Sequence, residues 1–342
     1  MLNKAMIKDG LNWMSRINYK RAKNMTKVLS SYYLSRLSSK PIHTGLPFSI
    51  SLEPTTACNL RCPECPSGLR MFSRPKGLLE KEVFEKIVAE LKDSIFYLIL
   101  YFQGEPYLHK SLFEFIRYAE DHNIYTATST NGHFLNDRFA QKTVESGLSR
   151  LIISIDGVTQ EVYEAYRREG KLEKVLQGAA NVVKWKKKLK SKTPHIIFQF
   201  LVVKPNEHQI PEIKRIAKEI GVDEVKLKSA QVYDYEHGNP LIPDNEKYAR
   251  YKKQKDGTYT IKNKLLNHCW KMWHSCVFTW DGQVVPCCFD KDATHKFGSI
   301  QDHHFADIWQ NESYQNFRSA LLRGRKEIDI CKNCTEGCKV WV

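Results

Sequence analysis

From Phe48 onward the chain alternates short apolar, β-like runs with longer amphipathic stretches, and few folds accept that alternation. Strand–helix–strand repeats of this length build a parallel sheet with helices packed on it. The strands end near Glu53, Phe102, Ser129, Ile155, Val203 and Lys228, with helical patterns at about 80–92, 110–122, 136–147, 159–190 and 206–220. Gly147 and Gly221 close two of these helices, at the position where a left-handed C-cap favours glycine. Six such units are two short of a closed eightfold barrel, and in such folds chemistry collects at the C-terminal ends of the strands. Cys58, Gly104, Asn131 and Asp156 all fall there.

The loop after the first strand reads Glu53-Pro-Thr-Thr-Ala-Cys58-Asn-Leu-Arg-Cys62-Pro-Glu-Cys65-Pro-Ser-Gly68. A tetrahedral structural metal site takes four protein ligands, whereas this run supplies three thiolates and leaves one coordination position open. The Cys-x3-Cys-x2-Cys spacing after an alternating strand, with Asn59-Leu60-Arg61 inside it, resembles that of the radical S-adenosylmethionine (SAM) enzymes. The resemblance implies a partial (β/α)6 TIM-like barrel and a 4Fe-4S cluster held by Cys58, Cys62 and Cys65. Its fourth iron would be chelated by the amino and carboxylate groups of SAM. The alternative is a zinc or purely structural site, for which paired C-x-x-C spacings are more usual.

Further segments at strand ends resemble parts of the family's SAM pocket. Gln103-Gly104-Glu105-Pro106 is similar to its GGE-type motif with the first glycine replaced. There backbone carbonyls and the acidic side chain meet the SAM amino group, and glycine admits a close backbone approach. Thr130-Asn131-Gly132 looks like the segment that meets the ribose. Ser154-Ile-Asp156-Gly157 resembles the Ser-x-Asp-Gly motif of the branch whose members bear extra clusters. That implies a SAM contact for Ser154, and for Arg167 a charge-assisted bond to the SAM carboxylate; Arg168 is the neighbouring alternative. Asp156 is a candidate base in a later oxidation, or a turn residue before Gly157, and Asn206 a candidate for lining the site. The chain departs from the pattern at Glu64, where many relatives carry an aromatic residue near the adenine.

Seven of the ten cysteines lie beyond residue 262. Their order is Cys269, Cys276, an Asp281-Gly282 turn, Pro286-Cys287-Cys288, Gly298-Ser-Ile300, Ile308-Trp309 and Cys331-x2-Cys334. This resembles the SPASM or twitch C-terminal domains of radical SAM enzymes. A full SPASM domain binds two clusters through a longer terminal run, and here four residues follow Cys338. One auxiliary 4Fe-4S cluster is therefore expected, held by Cys287, Cys331, Cys334 and either Cys269 or Cys276. Cys269 is favoured because a strand at 277–280 needs residues before it, which leaves Cys276, Cys288 and Cys338 surplus. Zinc is the alternative occupant. A fully ligated cluster can relay an electron and wall off a substrate.

The expected parts are a basic N-terminal extension (1–45), the partial barrel (46–230), a linker (231–262) and the auxiliary-cluster domain (263–342). Residues 1–40 hold nine Lys/Arg against one acid, Asp9, which is more than half of the net +15. Met25, Leu29, Tyr33 and Leu37 recur every four residues, so a helix there has an apolar stripe. Such a helix lies on an anionic membrane or packs across the barrel's mouth or bottom. No apolar run approaches the ~18 residues of a membrane span, and the basic start lacks the apolar core of an export signal. Ten cysteines then suit cluster ligation in a reducing cytoplasm, with or without contact to the inner membrane face. By resemblance, the expected activity is reductive cleavage of SAM to a 5′-deoxyadenosyl radical that abstracts a hydrogen from a small metabolite, glycan or lipid-linked substrate. The electron would come from an external low-potential donor of flavodoxin or ferredoxin type. The alternatives are a ribosomal-peptide or protein maturase, and a non-catalytic iron–sulfur or metal-binding protein. Nucleic acid is not an expected partner, since no recognition motif accompanies the basic residues.

Overall fold

Two helices, α1 (Lys4–Met14) and α2 (Tyr19–Ser38), precede the first strand in the computed structural model, which describes residues 4–337. Cys338 lies outside the described residues. Strands β1 (Ser49–Leu52), β2 (Tyr97–Ile99), β3 (Tyr125–Thr130), β4 (Arg150–Ser154), β5 (His195–Val202) and β6 (Glu224–Ser229) lie side by side in chain order, all parallel. Helices α3 (Pro66–Leu69) and α4 (Lys81–Leu91) follow β1, α5 (Leu112–Asp121) follows β2 and α6 (Asp137–Glu145) follows β3. Then α7 (Gln160–Tyr166) and α8 (Leu172–Lys188) follow β4, and α9 (Ile210–Ile220) follows β5. The strands are half-exposed to an interior and half-packed on helices: Ile50, Leu52 and Leu98 are fully buried in the core, while Ser49, Ser51, Tyr97 and Ile99 line a cavity. The sheet does not close, so this is an open, partial barrel of six parallel strands with helices after the first five, and the sixth expected helix is absent among the described residues.

The single helix expected over 159–190 is two. The break falls at Arg167, where the backbone leaves the helix (φ −86°, ψ 62°), and Glu169 then takes a left-handed φ of +64°. The side chain of Arg167 is thereby turned inward.

After β6 the linker is not structureless, for it carries the antiparallel hairpin β7 (Tyr251–Lys253) and β8 (Tyr259–Ile261). Then come α10 (Lys271–His274), β9 (Ser275–Phe278), β10 (Gln283–Val285), β11 (Gly298–Ser299), α11 (Phe305–Gln310) and α12 (Glu312–Gly324). Strand β9 starts two residues before the expected hairpin strand and pairs in parallel with β1, Ser49 opposite Ser275 and Leu52 opposite Phe278. The cysteine-rich region therefore extends the barrel's own sheet to nine strands.

The N-terminal helices cover the end of the sheet at which the parallel strands begin. Arg21 is 2% exposed and donates to the backbone carbonyls of Arg16, Lys92, His122 and Asn123. Asp9 accepts from Tyr125, the first residue of β3, and pairs with Arg150, the first of β4. The buried side of α2 is Arg21, Val28, Ser31, Tyr32 and Ser35, which corrects the expected stripe: Tyr33 and Leu37 point to solvent, 43% and 85% exposed. Tyr32 decides the registration, its hydroxyl 2.9 Å from His268 Nδ1 and its ring against Trp270 and Trp273.

Candidate active site

Cys58, Cys62, Cys65, Gly104, Glu105, Asn131, Ser154 and Arg167 line one cavity of about 240 Å³ at the C-terminal ends of β1 to β4. Glycines let the cysteine loop fold this tightly. Gly68, in α3, faces the loop so closely that a Cβ there would sit 2.6 Å from Cys62 N. Gly104 has φ +74°, and a Cβ on it would come within 2.2 Å of Thr55 O, so no side chain fits. The same approach lets Glu105 N donate to Ala57 O (2.7 Å) and Gly104 N to Ser67 Oγ (2.8 Å).

Glu105 is 2% exposed, and its carboxylate accepts from Tyr107 N, Thr130 Oγ1 and Asn131 N at 2.7–3.1 Å. It ties the loop after β2 to the end of β3. Burial pushes its pKa up to about 7 while the three donors pull the other way. Asn131 in turn donates to Asn59 Oδ1 (2.8 Å) and reaches Cys58 Sγ at 4.0 Å. Arg167 reaches Cys62 Sγ at 3.9 Å, and its Nε donates to Asp156 Oδ2 at 2.5 Å; Arg168 is exposed.

Two expectations change here. Asp156 is fully buried, with Oδ1 taken by Leu201 N and Oδ2 by Arg167, so its carboxylate orients an arginine instead of facing a substrate as a base. Asn206 does not line the cavity. It is fully buried and staples β5 to the β4 loop, donating to Asp156 O and Leu201 O and accepting from Val203 N.

Glu64 accepts from Tyr233 N at 2.9 Å, and Lys291 Nζ lies 3.0 Å from Tyr233 Oη and 4.7 Å from its ring centroid. An aromatic residue thus stands beside the cysteine loop, delivered by the chain after β6. The sequence signal was weak, a tyrosine in a Tyr-rich linker. Also missed was Glu53, fully buried at the end of β1, where Arg74 grips both its oxygens (2.7 and 2.5 Å) and Trp280 N donates to it at 3.2 Å.

The three thiols suit a cluster. Donors already point at sulfur: Leu60 N at 3.5 Å and Asn131 Nδ2 at 4.0 Å from Cys58 Sγ, and Arg167 Nη1 at 3.9 Å from Cys62 Sγ, as stabilises negative sulfur. Burial pushes the Cys58 thiol up to about 12 and raises Cys62. Binding a cationic iron core there must displace protons. Among the described residues no three His, Cys, Asp or Glu side chains gather as a single-ion site does; these cysteines ring a cavity.

Cys269, Cys287, Cys331 and Cys334 line a second, small cavity walled by Phe289, Phe317, Leu321 and Ile330. Cys334 Sγ receives Arg325 Nη2 at 3.2 Å and Glu336 N at 3.3 Å. Burial raises all four thiols, Cys331 to about 11 and Cys334 to about 12. Cys276 is absent from this set. It sits on β9 opposite Ile50, and of the two alternatives Cys269 is the one that lines this cavity. Arg325 carried no signal in the sequence, because its partners are reached only through the fold.

A third cavity of about 500 Å³ adjoins the four-thiol site through Cys287 and reaches the N-terminal helices, lined by Trp13, Met25, Ser51, Tyr97, Lys271 and Cys288 among others. Lys271 Nζ lies 3.3 Å from Glu336. Tyr101 lines the first cavity, and burial raises its phenol above the usual range.

Comparison with known proteins follows this geometry. The Radical SAM superfamily model matches residues 52–215, and the SPASM iron–sulfur cluster-binding domain model matches 269–335. A tungsten-containing aldehyde ferredoxin oxidoreductase cofactor-modifying protein of Pyrococcus furiosus is 26% identical over 78% of this chain and 82% of its own. The AdoMet-dependent heme synthase of Methanosarcina barkeri is 24% identical over 86% of this chain and 92% of its own. The solved structure of anSMEcpe with bound AdoMet superposes with a TM-score of 0.60 at 18% identity, covering 85% of this chain and 89% of that one. BtrN in complex with AdoMet and 2-DOIA gives 0.52 at 20% identity, over 87% and 95%. The two domain matches, in this order along an open parallel barrel and a cysteine-rich region, place the chain in the radical SAM superfamily as an enzyme with a C-terminal SPASM domain, using a 4Fe-4S cluster, SAM and auxiliary iron–sulfur.

Proposed function

We propose that Cys58, Cys62 and Cys65 hold the SAM-binding 4Fe-4S cluster and that Cys269, Cys287, Cys331 and Cys334 hold one auxiliary 4Fe-4S cluster. When bound, cluster and SAM supply hydrogen-atom abstraction. The chain's own residues do the rest. Arg167, aimed by Asp156, pairs with the SAM carboxylate; Asn131 and Ser154 stand where the ribose and amino acid parts are received, and Gly104 gives them room. Tyr233, held by Glu64, offers the ring that the cysteine loop lacks for adenine. Of the extension 1–45, residues 4–45 floor the barrel 46–230, and residues 263–337 of the region 263–342 cover the free edge of β1.

The observation that carries this reading is the meeting of all eight expected cluster and SAM-pocket residues in one cavity. The third cavity is the substrate chamber. Its roughly 500 Å³ is the size of a small-molecule site, which favours a metabolite or a lipid-linked group over a peptide chain. A flavodoxin- or ferredoxin-type donor supplies the electron. Iron and sulfide analysis under anaerobic conditions tests the assignment: about eight irons per chain in wild type, about four in a Cys58/Cys62/Cys65→Ala variant and about four in a Cys269/Cys287→Ala variant. SAM cleavage by reduced protein should vanish in the first variant. A wild type that holds its iron yet never cleaves SAM would make this a non-catalytic electron-transfer protein.

A further inference from the structure

The end of the barrel opposite the cysteine loop carries an apolar row set among lysines. On α1, Ile7, Leu11 and Met14 recur at i, i+4 and i+7, one helical face, and are 49%, 60% and 60% exposed. Lys4 and Lys8 flank them, also exposed. On α2, Tyr33, Leu34 and Leu37 are 43–85% exposed, beside exposed Lys27, Arg36 and Lys40. At the same level, the end of helix α8 and the turn after it present Lys187, Lys188, Leu189, Lys190 and Lys192, every one exposed. These segments share an end because α1 is fixed to the first residues of β3 and β4, Arg21 of α2 to carbonyls just before β2 and β3, and the α8 lysines lead into β5. Isolated apolar residues on a surface need no cause. A periodic row of them does, since nothing among the described residues covers it.

We propose that this end docks on an anionic lipid bilayer, with α1 lying in the headgroup layer. Aliphatic side chains rimmed by lysine are what an interfacial helix presents: the apolar row enters the acyl boundary while the ammonium groups meet lipid phosphate. Nucleic acid would answer the lysines but leave Ile7, Leu11 and Met14 in water. A second copy would bring two strongly cationic faces together, against their mutual repulsion. The placement leaves the cysteine cavity facing away from the membrane and does not depend on the catalytic reading.

Vesicle flotation with the full chain tests it, using phosphatidylcholine alone and a 3:1 mixture with phosphatidylglycerol, a ratio chosen to give roughly physiological anionic charge. Wild type is expected to float at least about tenfold more with the anionic vesicles, and high salt should weaken this. Ile7→Glu/Leu11→Glu/Met14→Glu should lose at least about tenfold in binding. Lys187→Glu/Lys190→Glu/Lys192→Glu leaves α1 intact and should also lose about tenfold or more. Iron content and circular dichroism should match wild type in both. No preference for the anionic vesicles overturns the proposal, as do wild-type binding by either variant, a dimer that the α1 variant dissociates in light scattering, or tighter binding to RNA than to vesicles.

Discussion

Arg167 shows how much of a site depends on a residue that never meets the ligand. Its guanidinium is long, and without a partner it would sample many rotamers; Asp156, buried beneath it, fixes one. Breaking a buried pair leaves a charge without its counterpart, at a cost of about 3–5 kcal/mol. Asp156→Asn should therefore weaken SAM binding by about 10–100-fold, the usual effect of losing an orienting partner. Equilibrium binding to reconstituted protein measures this. If Asp156 were a base for the substrate, SAM affinity would hold and only product would disappear. Sequence reading singled out both residues from local motifs and left Asp156 as a base or a turn residue, because a motif records which residues recur and not which way a carboxylate turns. Glu64 marks the opposite case. Its departure from the family pattern was visible, but the answering Tyr233 was not, since the two are 169 positions apart and meet through one hydrogen bond.

At the scale of elements, periodicity carried most of the barrel. Strand ends near Glu53, Ser129, Ile155, Val203 and Lys228 fall within a residue of the observed ones, and β2 ends three residues before Phe102. Such signals are local, being set by apolar spacing and glycine caps. The orientation of α2 was not legible in this way. Its apolar residues occupy more than one face, and the face that wins contains an arginine, Arg21, which hydrophobic spacing never selects. Four backbone carbonyls depend on that guanidinium. Arg21→Met keeps the bulk and removes every donor, so the loss should be at least about 3 kcal/mol, or roughly 4 °C or more in melting temperature for a chain of this size. Thermal denaturation followed by far-ultraviolet circular dichroism reads it directly. A melting point within a degree of wild type would mean that water replaces the arginine at no cost, and that Val28, Tyr32 and Ser35 hold α2 without it.

At the scale of the whole molecule, the extension, the barrel and the cysteine-rich region are joined by contacts no local pattern foretells. Strand β9 lies beside β1 although more than two hundred residues separate them. His43 stands at the same junction, its Nε2 3.0 Å from Trp273 O and its ring edge-on to Trp309 at 5.0 Å. Burial and the nearby Arg318 lower its pKa from 6.5 to about 3. The unfolded chain thus takes up a proton near pH 6.5 that the folded chain refuses until about pH 3. Stability from this group is present in full above pH 6.5 and is lost as pH falls through that window, at up to about 1.4 kcal/mol per pH unit. Other groups titrate in the same range, so a comparison of slopes isolates this one. His43→Gln keeps a donor for Trp273 O and removes the titration. Its stability between pH 6 and 4.5 should fall less steeply than wild type by about one proton, even if it starts lower at neutral pH. Equal slopes would mean that the folded protein protonates His43 as readily as the unfolded chain does, and that water enters the junction between the extension and the cysteine-rich region.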